Sequence, residues 1–414
     1  MMIRRRCVLL LVLSAVLCGW ARADAQSAGA PADVGASLAP ILKKHDVPAM
    51  AVLVLHKREV VARGVCGVRK AGDPTPATID DQWHLGSCTK SMTATMIATL
   101  VEERKLSWET TLGEVFGDLD GTMDPAWKDV TIELLLAHRA GVPGDLSKDG
   151  LWGRLWQRQG TPTEQRMQLV RGVLKNPPVH KPGTDFEYAN AGFAIAGAVA
   201  EKVTGKSWED LMRERLFGPL GMKSAGFGAP GTPGKVDQPW GHGQNGKPES
   251  PGPFADNPAA IGPGGTVHCT IEDWGKYVAM HLEGDGQSRD GETQRRRDAK
   301  HASNGPAGKA SLTVLDLSAA DFVKLHTPFK GTGNEYAMGW GVSTRPWAKG
   351  PAKGDTGRVL THNGSNTMWF CVVWLAPEKD WAVLACCNKG GGEADKACDE
   401  AVWEMVKRYV RGAP

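Results

Sequence analysis

Two short apolar hairpins lie at opposite ends of this chain, and that separation constrains its fold more than any other feature. MAVLVLH (50–56) and EVVARGVC (59–66) read as strands joined by a tight Lys57-Arg58 turn; MWFCVVWL (368–375) and WAVLACC (381–387) read as a second pair. Strands at both ends with helices between them suggest one sheet built from the two termini. A helix follows the second pair, with Ala394, Ala397, Cys398, Ala401, Val402, Met405, Val406 and Tyr409 at helical spacing. Between the hairpins, 87–105, 131–138, 163–174, 190–204 and 207–216 carry helical periodicity and no strand alternation. The expected fold class is α/β in the α+β sense: a sheet subdomain from 40–86 and 261–412, with a mostly helical subdomain, about 87–260, inserted into it.

The remaining segments read as follows. Arg4, Arg5 and Arg6 precede an apolar run from Cys7 to Leu17, and Ala21-Arg22-Ala23 supplies a small-residue cleavage site, so residues 1–23 read as a signal peptide. That predicts a secreted or periplasmic protein, with no stable membrane anchor after cleavage, because the apolar run is shorter than the roughly 20 residues a spanning helix needs. Residues 24–39 read as a small-residue linker, and the polar, glycine-rich 284–310 as a flexible surface loop.

With 414 residues and 41% apolar content the chain can bury a sizeable core. Removing the leader lowers the formal charge from +3 to −1, which gives no reason to expect nucleic acid as a partner. Seven cysteines then remain, an odd number, so at least one is unpaired within the chain. If APEKD turns the second hairpin between Glu378 and Lys379, Cys371 falls opposite Cys386; a cross-strand bridge fits there, and buried free thiols fit better.

The chemistry concentrates in HLGSCTKSMTATM (84–96), at the start of what reads as an amphipathic helix. Ser87 and Lys90 share one face, whereas Cys88 turns about a hundred degrees away, toward the core. A serine in this position is often only a helix cap. Lys90 argues for more, because a cation in the first turn opposes the helix dipole where a capping box would place Glu or Gln. A lysine held there and partly buried loses its proton more easily, and a neutral amine beside a hydroxyl can activate it as a nucleophile. One Ser-x-x-Lys is expected by chance in a chain of this composition. Two later stretches change that: Tyr188 and Asn190 stand at a helix entrance in FEYANAGF, and His362, Asn363 and Gly364 lie at a strand in LTHNGSN, with the Ser365 N–H able to face a cleft.

Taken in order, S-x-x-K, Y-x-N and H-x-G resemble the penicillin-recognising serine hydrolases: class C β-lactamases, serine D-alanyl-D-alanine carboxypeptidases and related esterases. WHLGSCTKSMTATMIATLVEERKLSWETTLGEVF, VTIELLLAHRAGVPG, KPGTDFEYANAGFAIAGAVAEKVTG, RLFGPLGMKSAGFG, GPGGTVHCTIEDWGKYV and YAMGWGV are similar to that family's successive blocks, covering about 40–412. The resemblance implies a five-stranded antiparallel sheet with flanking helices beside an all-helical domain. It implies Ser87 as the acylated nucleophile, Lys90 as its base and Tyr188 as the proton relay to leaving group and water. Asn190 would hold the substrate amide, His362 and Gly364 would form the strand wall, and the Ser87 and Ser365 N–H groups would be the oxyanion hole. His362 and Asn363 replace the lysine and hydroxyl of the β-lactamase pattern, which suits a carboxylate-bearing substrate less.

The leading expectation is therefore a serine hydrolase that cuts an amide, peptide or ester bond of a small-molecule or peptide substrate, without a cofactor or metal. Alternatives are a true class C β-lactamase and a non-catalytic cell-wall binding module of the same fold. A metal hydrolase finds no support, because His138, His242 and His268 sit in separate blocks with no ligand spacing.

Overall fold

A computed structural model describes residues 30–119, 121–298, 314–330 and 335–411, without the side chains of 287–298. The expected leader, residues 1–23, lies outside the described residues. The main sheet holds β1 (Ala32–Asp33), β2 (Ala49–His56), β3 (Glu59–Gly67), β4 (Tyr336–Ala337), β5 (Trp340–Thr344), β6 (Arg358–Ser365), β7 (Phe370–Ala376) and β8 (Trp381–Cys387). Their spatial order is β1-β3-β2-β8-β7-β6-β5-β4. The two hairpins meet at its centre, where β8 pairs antiparallel with β2 and Leu384 stands opposite Leu53.

Local chemistry explains both turns and register. Lys57 and Arg58 have φ of 49° and 70°, the double left-handed geometry whose twist suits a two-residue hairpin. In the second hairpin Cys371 does pair with Cys386. All seven cysteines among the described residues are free thiols.

Eight strands replace the expected five, and the sheet is not wholly antiparallel. Two of the three extra strands are two-residue edges too short to read from sequence: β4 pairs with β5, and β1 runs parallel to β3. A further correction concerns the expected linker 24–39. Helix α1 (Gly35–His45) occupies its end and buries Leu38, Ile41 and Leu42, so three apolar residues at helical spacing outweigh the small-residue composition around them.

Both sheet faces are covered. Ala51, Leu53 and Leu55 alternate with Met50, Val52 and Val54, the first set joining a core shared with the helical layer and the second a core under α1 and the C-terminal helix. Burying each of these Leu, Val and Met side chains contributes roughly 1.5–3 kcal/mol. The other long helices are α2 (Thr89–Glu102), α3 (Pro162–Leu174), α4 (Asn190–Thr204), α5 (Ile271–Asp298), α6 (Ala319–His326) and α7 (Gly392–Met405).

Helix α5 overturns part of the loop expected over 284–310. Its backbone stays helical to Asp298, anchored where Gly284 packs against Phe322 and where Asp285 is buried beside His326 and Arg358. Residues 299–310 lie outside the described residues.

Helix α2 is central and buried from Thr89 to Leu100, not amphipathic. The helical layer covers the face expected to be open, and every threonine hydroxyl on it finds a partner: Thr93 donates to Pro263 O at 2.8 Å, Thr95 to Ser91 O at 2.9 Å and Thr99 to Met96 O at 2.7 Å, while Thr89 accepts from the Val267 N–H at 3.0 Å. A helix rich in hydroxyls can be buried because the hydroxyls are satisfied.

Candidate active site

Ser87 lies in a single tight turn, Gly86–Cys88, that leads into α2. It is half-buried, while Leu85, Gly86, Cys88, Thr89 and Lys90 around it are all buried. The turn touches β6 backbone to backbone. A Cβ on Gly86, where φ is 46°, would lie 2.3 Å from Ser365 N, and one on Gly364 would lie 2.0 Å from Leu85 O and 2.8 Å from Ser87 N. Both positions need glycine, and the close approach brings the Ser87 and Ser365 amides side by side.

Lys90 is fully buried, and its Nζ lies 3.0 Å from Ser87 Oγ, 2.6 Å from Asn190 Oδ1 and 2.6 Å from Gly264 O. No carboxylate is among those partners. Burial therefore lowers its pKa from the ordinary 10.5 to about 7. The ammonium position lies 4.7 Å from the centre of the Tyr188 ring. Tyr188 keeps 39% of its surface exposed, yet desolvation of its hydroxyl end raises its pKa, against a hydrogen bond with Ser87 that lowers it.

Helix α4 begins at Asn190, so Tyr188 and Asn190 stand at its entrance. Asn190 directs its carboxamide oxygen at Lys90, which makes it a holder of the lysine. Tyr188 is fixed by His138: the Glu187 N–H donates to His138 O at 2.9 Å, the Ala189 N–H donates to His138 Nδ1 at 3.2 Å, and the two rings lie 4.4 Å apart. Burial, then Lys90 and His362, hold His138 well below its usual pKa.

The strand motif differs from a simple wall. His362 is buried, its Nδ1 donating to Asn363 O and its Nε2 3.0 Å from the Tyr336 hydroxyl. With both ring nitrogens occupied, His362 braces the aromatic cluster. The cleft beside it, about 690 Å³, is lined by Phe186, Tyr188, Tyr336 and His362 and also by the carboxylates Glu335, Asp395 and Asp399. Cys88 is buried behind the turn, its Sγ 3.6 Å from His362 O and 3.5 Å from Cys371 Sγ, so it does not reach the cleft.

The structure thus brings Ser87, Lys90, Tyr188 and Asn190 into one cluster against Gly364 and Ser365, with His362 lining the cleft beside Tyr188. His138 and Tyr336 had escaped notice as site residues. Their blocks, LLLAHRAG and YAMGWGV, were visible, but a lone histidine or tyrosine in sequence carries no sign of what it will face. Among the described residues no group of three or more His, Cys, Asp or Glu could hold a metal ion.

A serine, a buried carboxylate-free lysine and a tyrosine, gathered where a helix N-terminus meets a sheet strand, define a class of mixed α/β proteins built for serine-centred chemistry. The chain belongs to the beta-lactamase family, whose model matches residues 34–407. It is similar to penicillin-binding protein 4 of Amycolatopsis lactamdurans, 31% identical over 60% of this chain and 62% of the relative. It is also similar to the unguisins hydrolase ungD' of Aspergillus campestris, 25% identical over 90% of this chain and 64% of the relative. The chain thus spans less than two thirds of the length of these two relatives. Among solved structures, the octameric penicillin-binding protein homologue from Pyrococcus abyssi superposes with a TM-score of 0.66 at 23% identity, covering 90% of this chain and 76% of that one. The D-alanine carboxypeptidase AmpC from Burkholderia cenocepacia gives 0.62 at 19%, covering 89% and 96%, and these two likenesses concern the fold.

Proposed function

We propose that this chain hydrolyses an amide, peptide or ester bond through an acyl-enzyme on Ser87. The observation that carries the reading is the allocation of protons around Lys90. Asn190 Oδ1 and Gly264 O can only accept, so in the neutral amine they take both N–H bonds and leave the nitrogen lone pair for the Ser87 hydroxyl. A pKa of about 7 makes that neutral form available near neutrality.

In the proposed sequence the Ser87 Oγ–H proton passes to Lys90 as Oγ attacks the substrate carbonyl carbon. The carbonyl oxygen becomes an oxyanion held by the Ser87 and Ser365 N–H groups. Collapse breaks the bond to the leaving group, which departs with a proton relayed through Tyr188. Water then attacks the acyl carbon, gives its proton back along the same path and releases the acid with Ser87 restored.

The substrate class follows from the strand side. His362 is committed to Tyr336 and to the Asn363 carbonyl, and a histidine there is not the permanent cation that a lysine would offer a carboxylate-bearing β-lactam. An ester or amide without that carboxylate fits better than a β-lactam, a reading that accords with the unguisins hydrolase and the lovastatin esterase of Penicillium rubens among the relatives. Export through the segment 1–23 belongs to the same proposal; among the described residues no helix is long and apolar enough to cross a membrane.

Intact-mass analysis after exposure to a fluorophosphonate, a penicillin and a short-chain ester tests the assignment. A single adduct at Ser87, absent from Ser87→Ala, is expected; labelling that persists in the variant overturns it.

A further inference from the structure

We propose that His84, Asp256 and Asn366 form a buried brace that sets the oxyanion pocket, and that its working part is the position of the proton on His84. The inference rests on the Ser87 acyl-enzyme reading and adds positioning residues to it. The Gly86 N–H donates to His84 Nδ1 at 3.1 Å. A backbone amide can only donate, so Nδ1 is bare and the ring carries its proton on Nε2. Nε2 lies 2.8 Å from Asp256 Oδ2, which can only accept while ionised. The other oxygen of that carboxylate accepts from Asn366 Nδ2 at 3.1 Å and from the Asn257 N–H at 2.7 Å. Asn366 Oδ1 in turn accepts the Met368 and Trp369 amides at 3.1 Å and 3.2 Å.

One carboxylate therefore ties the residue before Ser87 to the residue after Ser365. His84, Asp256 and Asn366 are 0%, 5% and 5% exposed, so they act through the backbone they hold. The two amides of the pocket belong to backbones in van der Waals contact at Gly86 and Gly364, where a shift of a few tenths of an ångström re-aims a donor.

Asp256→Asn separates the brace from simple packing. Asn at 256 has one acceptor and one donor; Asn366 Nδ2 and the Asn257 N–H claim the acceptor, which leaves the NH2 facing Nε2. His84 must then carry its proton on Nδ1, directly against the Gly86 N–H. With p-nitrophenyl acetate, kcat is expected to fall about 100-fold with KM within about twofold, and affinity for phenylboronic acid, whose tetrahedral anion fills the pocket, to fall in parallel. His84→Asn keeps an acceptor for Gly86 and has no tautomer to switch, so in that background Asp256→Asn should lower kcat less than about threefold. Equal losses in both backgrounds, or unchanged kcat in Asp256→Asn, overturn the proposal. If Asp256→Asn alone does not fold, the ¹⁵N shifts of His84 in the native enzyme decide, and a proton on Nδ1 overturns it. An unlabelled Ser87 in the native enzyme would sink the acyl-enzyme reading itself; a labelled Ser87 whose rate ignores the tautomer would sink only the brace.

Discussion

Lys90 and Arg166 are two cations buried to 0% exposure in the same protein, and they are treated in opposite ways. Arg166 donates to both oxygens of Glu201, at 3.2 Å and 2.7 Å, to Glu209 at 2.8 Å and to Ala259 O at 2.9 Å. Burial alone would lower its pKa, and the two carboxylates outweigh that and raise it. Lys90 has neutral acceptors only and is lowered to about 7. A buried cation with carboxylates joins α3 to α4 and stays charged; one without them is held ready to lose its proton.

The largest break in that contrast should come from Lys90→Met, which removes the base. We expect hydrolysis of p-nitrophenyl acetate to fall about 10³-fold, measured as kcat/KM, while the protein stays folded by circular dichroism. Arg166→Met should do the reverse. It leaves Glu201 and Glu209 buried without their cation and should lower stability by about 3–5 kcal/mol in urea unfolding, with activity per folded molecule unchanged.

A pH series sharpens the difference. If neutral Lys90 is the base, kcat/KM should rise about tenfold per pH unit below a pKa near 7 and level off above it. A flat profile from pH 5 to 8 would remove Lys90 from the role. The stability of Lys90→Met relative to the native protein should also tilt toward the variant as pH falls from 10.5 to about 7, because the unfolded chain then binds a proton that the folded lysine resists.

The smallest effect concerns the sealed network away from the cleft. His281 Nδ1 lies 2.8 Å from His326 Nε2, and His326 Nδ1 lies 3.2 Å from Asp285 Oδ1. Burial lowers both histidines below 6.5. Above pH 6.5 both states are neutral and nothing changes. Below it the unfolded chain takes up protons the folded one resists, so stability should fall toward pH 5, with His281, the more strongly lowered of the two, contributing at most about 1.4 kcal/mol per pH unit. Thermal unfolding at pH 7, 6 and 5, with His281→Asn as reference, measures it.

Much of this was legible in the sequence. The hairpins, the helix spans and the Cys371 register follow from short-range periodicity, which depends on neighbours in the chain. Ser87 and Lys90 were readable because one helical turn is enough to place them together, and the misplaced cation marked them. The eight-strand count, the helix over 35–45 and the extension of α5 were not, since each depends on contacts made far along the chain: Val34 N–H with Arg63 O, Gly284 with Phe322.

His84 shows the division most clearly. It stands in HLGSCTK, three residues from Ser87, and nothing in that string distinguishes it from a core histidine. Its partner Asp256 comes from another part of the chain, and only folding delivers it. What the amino-acid order determined by itself was the local geometry: which side chains share a turn and where a glycine lets backbone approach. The tertiary structure decided the protonation chemistry, because the pKa of Lys90, the occupied nitrogens of His362 and the tautomer of His84 all depend on partners and burial that only distant residues supply.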